Sequence, residues 1–457
     1  MTSIVATLSN LLNLPNPPGK LEALLYPDYV VTEITAAPEG GLELHLQPTA
    51  LPICPRCGKP SLKLHETRHR RIREAPFPGC SAVWISLPIR RVRCKCGCHA
   101  QETIPWLIPH KRMTARLIAH IQYRVRADVA TSLIARDLGV SWETVRDLDE
   151  AQLKMFFSDV RPSPNIRRIM IDEIALLKGH RYITIFMDYD DRKIFFIVIG
   201  KSKEAIRPGF ERLVELGLAG QIEAVACDMN GSYPPLVKEY LPNADIVYDY
   251  FHVMKLTSDG LCKEARQLQA KQIEEEYGKD SQQAQSMRRN LRRAEYVIIS
   301  RPETLKPEAR ERLDELLRHN QILGKVHPLL ALIRNIWETY ISDEARESLA
   351  EAIELLRALR KEYGMETAER LAKTLEDRAE GILSACKHHI STSPLEGANN
   401  RAKVLKRVAF GYRKIEFFIL KLKAAFPGKG WNPWKRLGPW DCVIGDRVID
   451  AGLSLQR

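Results

Sequence analysis

Residues 167–199, RRIMIDEIALLKGHRYITIFMDYDDRKIFFIVI, decide how this chain is read. Three runs rich in β-branched and aromatic residues, Arg167–Asp172, Tyr182–Tyr189 and Lys193–Ile199, read as strands, and Asp190-Asp191 between the last two is a natural hairpin turn. Beyond them the pattern changes. Lys203 to about Leu216 reads as helix, Ile222–Cys227 as strand, Ser232–Tyr240 as helix, Asp245–Tyr248 as strand, and Phe251 onward as helix again. Three strands followed by alternating helix and strand predict a mixed sheet with helices on its faces.

Carboxylates end two of these strands. Asp172 closes the apolar run Ile169-Met170-Ile171, and Asp228 follows Cys227 directly. A charge at the end of a buried strand is costly unless it is paired or binds metal. The strand order is that of a ribonuclease-H-like sheet, whose first and fourth strands are neighbours, so Asp172 and Asp228 are expected to meet. A third acid, Glu396, lies in Ser393-Pro394-Leu395-Glu396-Gly397-Ala398-Asn399-Asn400. Three converging carboxylates suit two Mg²⁺ (or Mn²⁺) ions about 3.5–4 Å apart, the arrangement that cuts and joins phosphodiesters.

Other residues compete with this triad or extend it. Ser393 as N-cap, Pro394 at the first helical position and Glu396 at the third make a capping box, which accounts for the glutamate without metal. Capping leaves unexplained the stripe of Asn399, Asn400, Lys403 and Arg407 on the same helical face, a pattern suited to a phosphate track. Glu173 is expected to point to the opposite face of its strand. Asp188, Asp190 and Asp191 surround a hairpin and read as solvent-exposed, while Asp249 is a supporting candidate. His252 and Lys255, one helical turn apart, are candidates for touching a scissile phosphate. From Phe251 to Cys386 the chain is rich in Glu, Lys, Arg, Leu and Ala. That predicts a helical insertion, about 256–388, within a catalytic domain spanning 165–430.

The N-terminal part carries different chemistry. Six of the ten cysteines fall between Cys54 and Cys98, which points to a local metal site rather than a disulfide framework. Cys54 and Cys57 form one knuckle; Cys94, Cys96 and Cys98 offer three thiols for the two remaining places of a structural Zn²⁺ tetrahedron. Cys80, in a turn, reads as structural. Arg68, Arg70, Arg71, Arg73, Arg90, Arg91 and Arg93 make a basic surface that can lie along phosphates, orienting DNA without reading its sequence. A helix from Thr114 to about Arg126, a second from Val129 to Leu138, the break at Gly139 and a third helix capped by Ser141 follow the helix-turn-helix plan. Trp142, Glu143, Thr144 and Arg146 are its groove candidates. The fold class is therefore multidomain α+β: an N-terminal segment (1–50), a zinc-binding module (51–110), a helix-turn-helix domain (111–160), a catalytic core with its insertion, and a tail (431–457) in which Trp431, Trp434 and Trp440 are expected to pack against the core.

Composition sets the outer limits. With 69 Lys+Arg against 57 Asp+Glu, the net charge of +12 favours a polyanionic partner. No apolar run approaches the roughly 20 residues of a transmembrane helix, and the N-terminus lacks a secretory pattern, so an intracellular protein with no membrane partner is expected.

In combination these stretches resemble the ISL3 family of bacterial insertion-sequence transposases. The resemblance rests on Cys54–Gly58, Ile171-Asp172-Glu173-Ile174 with Tyr182–Asp190, Cys227-Asp228-Met229 with Tyr233, Asp249–Lys255, and Ser393–Arg413 ending Phe410-Gly411-Tyr412-Arg413, and covers about Leu51 to Phe426. The compact Cys94–Cys98 knuckle departs from the family's wider cysteine spacing. The resemblance implies that Asp172, Asp228 and Glu396 are a DDE triad. It further implies that the partners are double-stranded DNA, both terminal inverted repeats and target, and that two ends are brought together by a homodimer or larger assembly in the bacterial cytoplasm, at the nucleoid. The alternative is a DNA-binding regulator or inactive copy that uses the zinc module and helix-turn-helix without catalysis; a purely helical scaffold leaves the strand-end carboxylates unexplained.

Overall fold

The computed structural model describes residues 25–77, 79–80, 82–108, 111–177, 181–229, 231–292, 295–438, 441–445 and 447–450. The chain divides into two compact units. One combines Met1–Asp159 with Ala402–Pro427 and Trp431–Arg457; the other combines Val160–Arg401 with Gly428–Gly430.

The first unit opens with strands β1 (Tyr29–Ala36), β2 (Leu42–Pro48), β3 (Leu64–Glu74), β4 (Val83–Arg93) and β5 (His99–Gln101). They form one sheet in the order β1-β2-β4-β3 with β5 also on β4, and β2 runs parallel to β4. Tyr29–Pro48, expected only as an N-terminal segment, supplies two strands of this sheet. Alternation in YVVTEITA and LELHLQP, parted by Gly40-Gly41, was the signal. Leu44, Leu46, Ile72, Val83, Ile85 and Leu87 bury one face together with Tyr26 and Trp106.

Three helices follow, α1 (Ala115–Arg126), α2 (Thr131–Leu138) and α3 (Trp142–Phe157). Thr114 caps α1 by accepting the Leu117 N–H, and Ser141 caps α3 by accepting that of Thr144. Gly139 ends α2 at φ 61°, ψ 37°, a left-handed conformation that suits glycine. Ile118, Ile121, Val125, Ile134, Leu138, Val145 and Leu148 make the core, into which Cys442 of the C-terminal hairpin, Asp441–Ile444 with Arg447–Asp450, also packs. A buried ion pair joins sheet to helices. Arg116 Nη2 lies 2.5 Å from Glu74 Oε2, and Glu74 Oε1 also accepts the Thr114 hydroxyl and the Ala75 N–H. Satisfying that carboxylate so fully is what makes its burial tolerable. In the tail, Trp431 and Trp434 pack on Phe157 with ring centroids 5.8 and 5.3 Å away, while Trp440 lies outside the described residues. Residues 402–427 group with this unit: the helix Ile415–Ala425 is fastened to α3 by Lys421 and the buried Asp149, 2.5 Å apart.

The second unit contains β6 (Arg168–Leu177), β7 (Arg181–Asp188), β8 (Lys193–Ile199), α4 (Lys203–Glu215), β9 (Ala224–Cys227), α5 (Tyr233–Tyr240), β10 (Asp245–Tyr248) and α6 (Tyr250–Lys255). The sheet order is β10-β9-β6-β7-β8, antiparallel among β6, β7 and β8 and parallel from β6 through β9 to β10. β6 runs five residues past the expected end at Asp172, because β7 continues to pair with it as far as Leu177. A second correction concerns the hairpin acids. Asp188 is 1% exposed and accepts the N–H groups of Ser163, Asp190 and Asp191, so it organises the turn from inside. Asp191 is likewise engaged, with Lys193 and with the N–H groups of Lys429 and Gly430.

After α6 a π-helical turn, Leu256–Cys262, leads into α7 (Lys263–Tyr277), α8 (Gln282–Arg292), α9 (Glu295–Ile299), α10 (Pro307–His319), α11 (Gln321–Glu338), α12 (Ser342–Tyr363), α13 (Glu366–Asp377) and α14 (Ala379–His388). The helix α15 (Ser393–Val408) follows. Among the described residues no helix is long and apolar enough to cross a membrane.

Candidate active site and metal centre

Each half of the zinc module presents a tight turn. The Gly58 N–H bonds the Cys54 carbonyl at 2.9 Å and the Gly97 N–H bonds the Cys94 carbonyl at 3.0 Å, so each knuckle points its sulfurs inward. Cys54 Sγ lies 3.7 Å from Cys96 Sγ, Cys57 Sγ lies 3.6 Å from Cys94 Sγ, and all four sulfurs are within 4.8 Å of one another. With Zn–S bonds near 2.3 Å, the sulfurs of a regular tetrahedron stand roughly 3.8 Å apart, so this group fits structural zinc. Backbone N–H groups of Cys57 and then Arg56 draw the Cys54 thiol down to about 6, toward the thiolate that metal requires. Cys98 stands outside the four. It is buried against Cys54 and Val92, and its carbonyl accepts the Cys94 N–H.

The acids of the second unit are placed by strand register. Parallel pairing of β6 with β9 ends at Met170 opposite Ala226; Asp172 lies two residues further along β6 and Asp228 directly follows the last residue of β9, at the same end of the sheet. Neighbouring strands lie roughly 4.8 Å apart, so the two side chains share one end of the sheet. Both are half-buried. Asp172 Oδ1 accepts the Glu173 N–H at 2.8 Å, and its Oδ2 accepts Asn399 Nδ2 at 3.1 Å. The residue expected on a phosphate track therefore holds the first acid instead. Glu396 is exposed in the first turn of the same helix, three residues before Asn399 and hence on its face. The capping box expected at Ser393 is not formed: Thr392 supplies the first helical carbonyl, to the Glu396 N–H, which makes Glu396 the fourth helical residue. Among the described residues the cysteine sulfurs are the only group of three or more potential ligand atoms within 4.8 Å of one another, so the oxygens of Asp172, Asp228 and Glu396 are less closely drawn.

Asp249 connects the parts. It is 3% exposed; Oδ2 accepts the Phe251 N–H and lies 3.3 Å from His252 Nδ1, and Oδ1 accepts the Thr392 N–H at the start of α15. Against burial, which raises it, the bonds from His252 and Thr392 hold its carboxyl low. The Asp249 bond in turn raises His252 above the ordinary histidine range, and the charges of Asp228 and Asp172 add to this. Asp228, His252 and Lys255 open on one cleft of about 490 Å³, with Met229, Leu256, Asp259 and Gly260. Sequence reasoning had no signal for Asp259 or for the π turn that presents it.

Burial pushes the Asp172 carboxyl up to about 6; the Glu173 N–H, Asn399 and His252 oppose this, and Asp228 adds to it. A carboxyl raised on folding favours the folded state only while protonated, so its contribution is complete below the unfolded value near 4 and disappears as pH rises through about 6. Asp172→Asn in Mg²⁺-free protein is accordingly expected to raise stability at pH 8 by on the order of 1–3 kcal/mol and to leave it unchanged near pH 4. Thermal unfolding of both proteins across that range measures it, and a pH-independent difference contradicts the burial argument.

Not all expected DNA contacts are presented alike. Arg68, Arg70 and Arg91 are exposed and, with His99, line a groove of about 620 Å³ in the first unit. Arg71 is taken up by Glu39 and Glu43, at 2.7 and 2.8 Å, and stacks over Trp84; Arg73 and Arg90 are similarly engaged, by the Leu138 carbonyl and Glu102. Trp142 is 48% exposed at the start of α3, with Arg146 over its ring and bonded to Asp147, and Thr144 shares a hydroxyl bond with Ser141. Asn400, Lys403 and Arg407 are exposed on α15.

A transposase family profile of the ISL3 type matches residues 169–422. The helix-turn-helix domain of transposase family ISL3 matches 102–151, and the zinc-finger of transposase IS204/IS1001/IS1096/IS1165 matches 50–98. The chain is 34% identical over 389 residues to the transposase for insertion sequence element IS1001 of Bordetella parapertussis, covering 85% of this chain and 92% of that protein. It is 23% identical over 378 residues to the transposase for IS1557 of Mycobacterium tuberculosis, covering 80% and 84%. Among solved structures, the Drosophila P element transposase strand transfer complex aligns with a TM-score of 0.31 and 11% identity, over 68% of this chain and 90% of that one.

Proposed function

The chain belongs to the ISL3 family of insertion-sequence transposases, and on that footing we propose that its second unit is a ribonuclease-H-like core that cuts DNA at the element's ends and joins it to a target. The observation that carries this reading is the pairing of β6 with β9, which sets Asp172 and Asp228 at the same end of the sheet, together with the bond from Asn399 that ties Asp172 to the helix of Glu396. In this reading residues 256–388 are an insertion in the core, and Asp172, Asp228 and Glu396 are the DDE triad. The donor set suits Mg²⁺ or Mn²⁺, since all three ligands are hard carboxylate oxygens and the buried Asn399 Oδ1 beside them has no protein partner. Divalent ions there supply Lewis-acid chemistry, activating water as a nucleophile and stabilising the departing 3′-oxygen.

The chain's own residues do the rest. Asn399 fixes the rotamer of Asp172 through its amide. Asp249 holds the start of α15, and so the third acid, while favouring the cationic form of His252 toward the cleft. His252 and Lys255 grip the scissile phosphate and Arg68, Arg70 and Arg91 lie along the flanking backbone, contacts that position DNA without specifying sequence. Trp142, Thr144 and Arg146 enter the major groove of the terminal repeat, Asn400, Lys403 and Arg407 continue the phosphate track, and a dimer or larger assembly pairs the ends. No side chain becomes covalently attached to DNA, because water and then the freed 3′-hydroxyl are the nucleophiles.

Labelled duplexes carrying the element's ends, incubated with the full chain and Mg²⁺ or EDTA, test this. Metal-dependent nicking followed by joining to a second duplex is expected. Tight binding of the ends with no cleavage under any divalent metal would overturn catalysis in favour of a regulator or an inactive copy.

A further inference from the structure

The turn that follows α15 contains a residue that local energetics disfavour twice. The helix closes with Phe410 N–H bonded to the Arg407 carbonyl at 3.1 Å and Gly411 N–H bonded to that of Lys406 at 2.9 Å, the paired bonds of a Schellman motif. In that motif the residue after the helix takes a left-handed backbone, and glycine usually occupies the position. Here it is Phe410, at φ 52°, and its side chain is 92% exposed. A non-glycine residue held in the left-handed region and a large aromatic left in water both oppose folding. Two residues on, Tyr412 turns inward and packs on Phe417 and Phe418, with centroids 5.7 and 5.1 Å away, so the turn is anchored while Phe410 projects.

Charge identifies the partner. From Gly397 to Ile415 the sequence has no acidic residue, and Lys403, Arg407 and Arg413 are exposed around the turn. A rigid, projecting aromatic set among cations is what an apolar wedge in DNA requires: phosphates are held on either side while the ring enters between base steps. Backbone strain of this kind persists where function requires it.

We propose that Phe410 inserts into the base stack of the duplex bound by this transposase, stacking on a base and unstacking its neighbour. The proposal rests on the transposase reading and adds a contact beyond the triad, the zinc module and the helix-turn-helix.

The test uses the full chain and duplexes of the element's terminal sequence with 2-aminopurine at successive positions. Wild type is expected to raise fluorescence at one step or two adjacent steps. Phe410→Gly is expected to abolish the rise and to weaken binding about 10- to 100-fold, the worth of one stacked base. The salt dependence of binding should be unchanged, since no cation is removed. Its unfolding temperature should match or exceed that of wild type because glycine suits the turn, which separates lost contact from lost fold. Phe410→Trp is expected to keep the fluorescence signal. The proposal is overturned if bound wild type shows no unstacking at any step, or if Phe410→Gly binds and unstacks like wild type. A change confined to oligomeric state in sedimentation would likewise overturn it, by assigning the ring to a protein contact. Wild type that cuts and joins DNA with no role for Phe410 sinks only the wedge, whereas wild type that binds no terminal DNA removes the transposase reading as well.

Discussion

Asp172→Asn or Asp228→Asn is expected to abolish strand cleavage and joining while leaving binding of terminal DNA intact. On the proposed reading each change removes an anionic ligand and keeps the side-chain shape, so the cleft would persist without the charge that would hold a divalent ion. If about 4 kcal/mol of transition-state stabilisation depends on that ion, the loss is on the order of 10³-fold. Asn399→Ala should behave differently. It leaves all three acids in place and releases only the Asp172 rotamer, so a loss of about 10- to 100-fold with a raised Mg²⁺ requirement is expected. Measured side by side on labelled ends, a graded series supports ligand and positioning roles. Equal, modest losses in all three would place the chemistry elsewhere, and loss of DNA binding would show that the acids maintain the fold.

The other large effect concerns zinc. Among the described residues the apolar cluster around the knuckles is small: Cys54, Val92 and Cys98, with Cys57, Cys94 and Ala100 against it. So little buried area, with a few bonds such as Arg93 N–H to the Lys63 carbonyl, leaves most of the joining of the two loops to a bound zinc; comparable structural zinc sites contribute roughly 10–16 kcal/mol at neutral pH. Cys54→Ser, Cys57→Ser, Cys94→Ser and Cys96→Ser are each expected to lose the bound zinc and to open residues 51–63 to proteolysis. Cys98→Ser should retain one zinc per chain. Metal analysis of the five purified variants decides the matter, and zinc retained by Cys96→Ser but lost from Cys98→Ser would replace the ligand set.

Local signals in the sequence carried much of this architecture. Ser141 announced a helix start by its side-chain chemistry, apolar spacing placed another at Thr114, Gly139 announced a stop, and Lys193–Ile199 and Asp245–Tyr248 read as strands of the length observed. The pattern failed where partners are distant. Nothing near Asn399 tells that its amide meets Asp172, 227 residues earlier, and nothing near β2 tells that it lies parallel to β4. Asp188 was misjudged for a related reason: composition around a hairpin suggests exposure, yet its carboxylate is buried under three N–H groups, one of them from Ser163. The N-cap of α15 was displaced by one residue, from Ser393 to Thr392, because two hydroxyl residues in succession offer the same local chemistry and only the Asp249 bond to the Thr392 N–H distinguishes them.

Gln122, 1% exposed in the middle of α1, has a consequence for the order in which the protein is made. Its amide accepts the Val443 N–H at 2.7 Å and donates to the Val443 carbonyl at 2.8 Å, standing in for one rung of a β-ladder. Together with Cys442 in the core of α1, α2 and α3, this makes a segment 321 residues further along the chain a part of the interior of the three-helix domain. Until the ribosome has passed Val443, Gln122 Nε2 has the Leu148 carbonyl at 3.0 Å but Oε1 lacks the Val443 N–H it accepts, and a buried polar group left unmet costs about 1–3 kcal/mol. The helix-turn-helix thus reaches its finished packing only after Val443 has been added, long after its own three helices have left the ribosome.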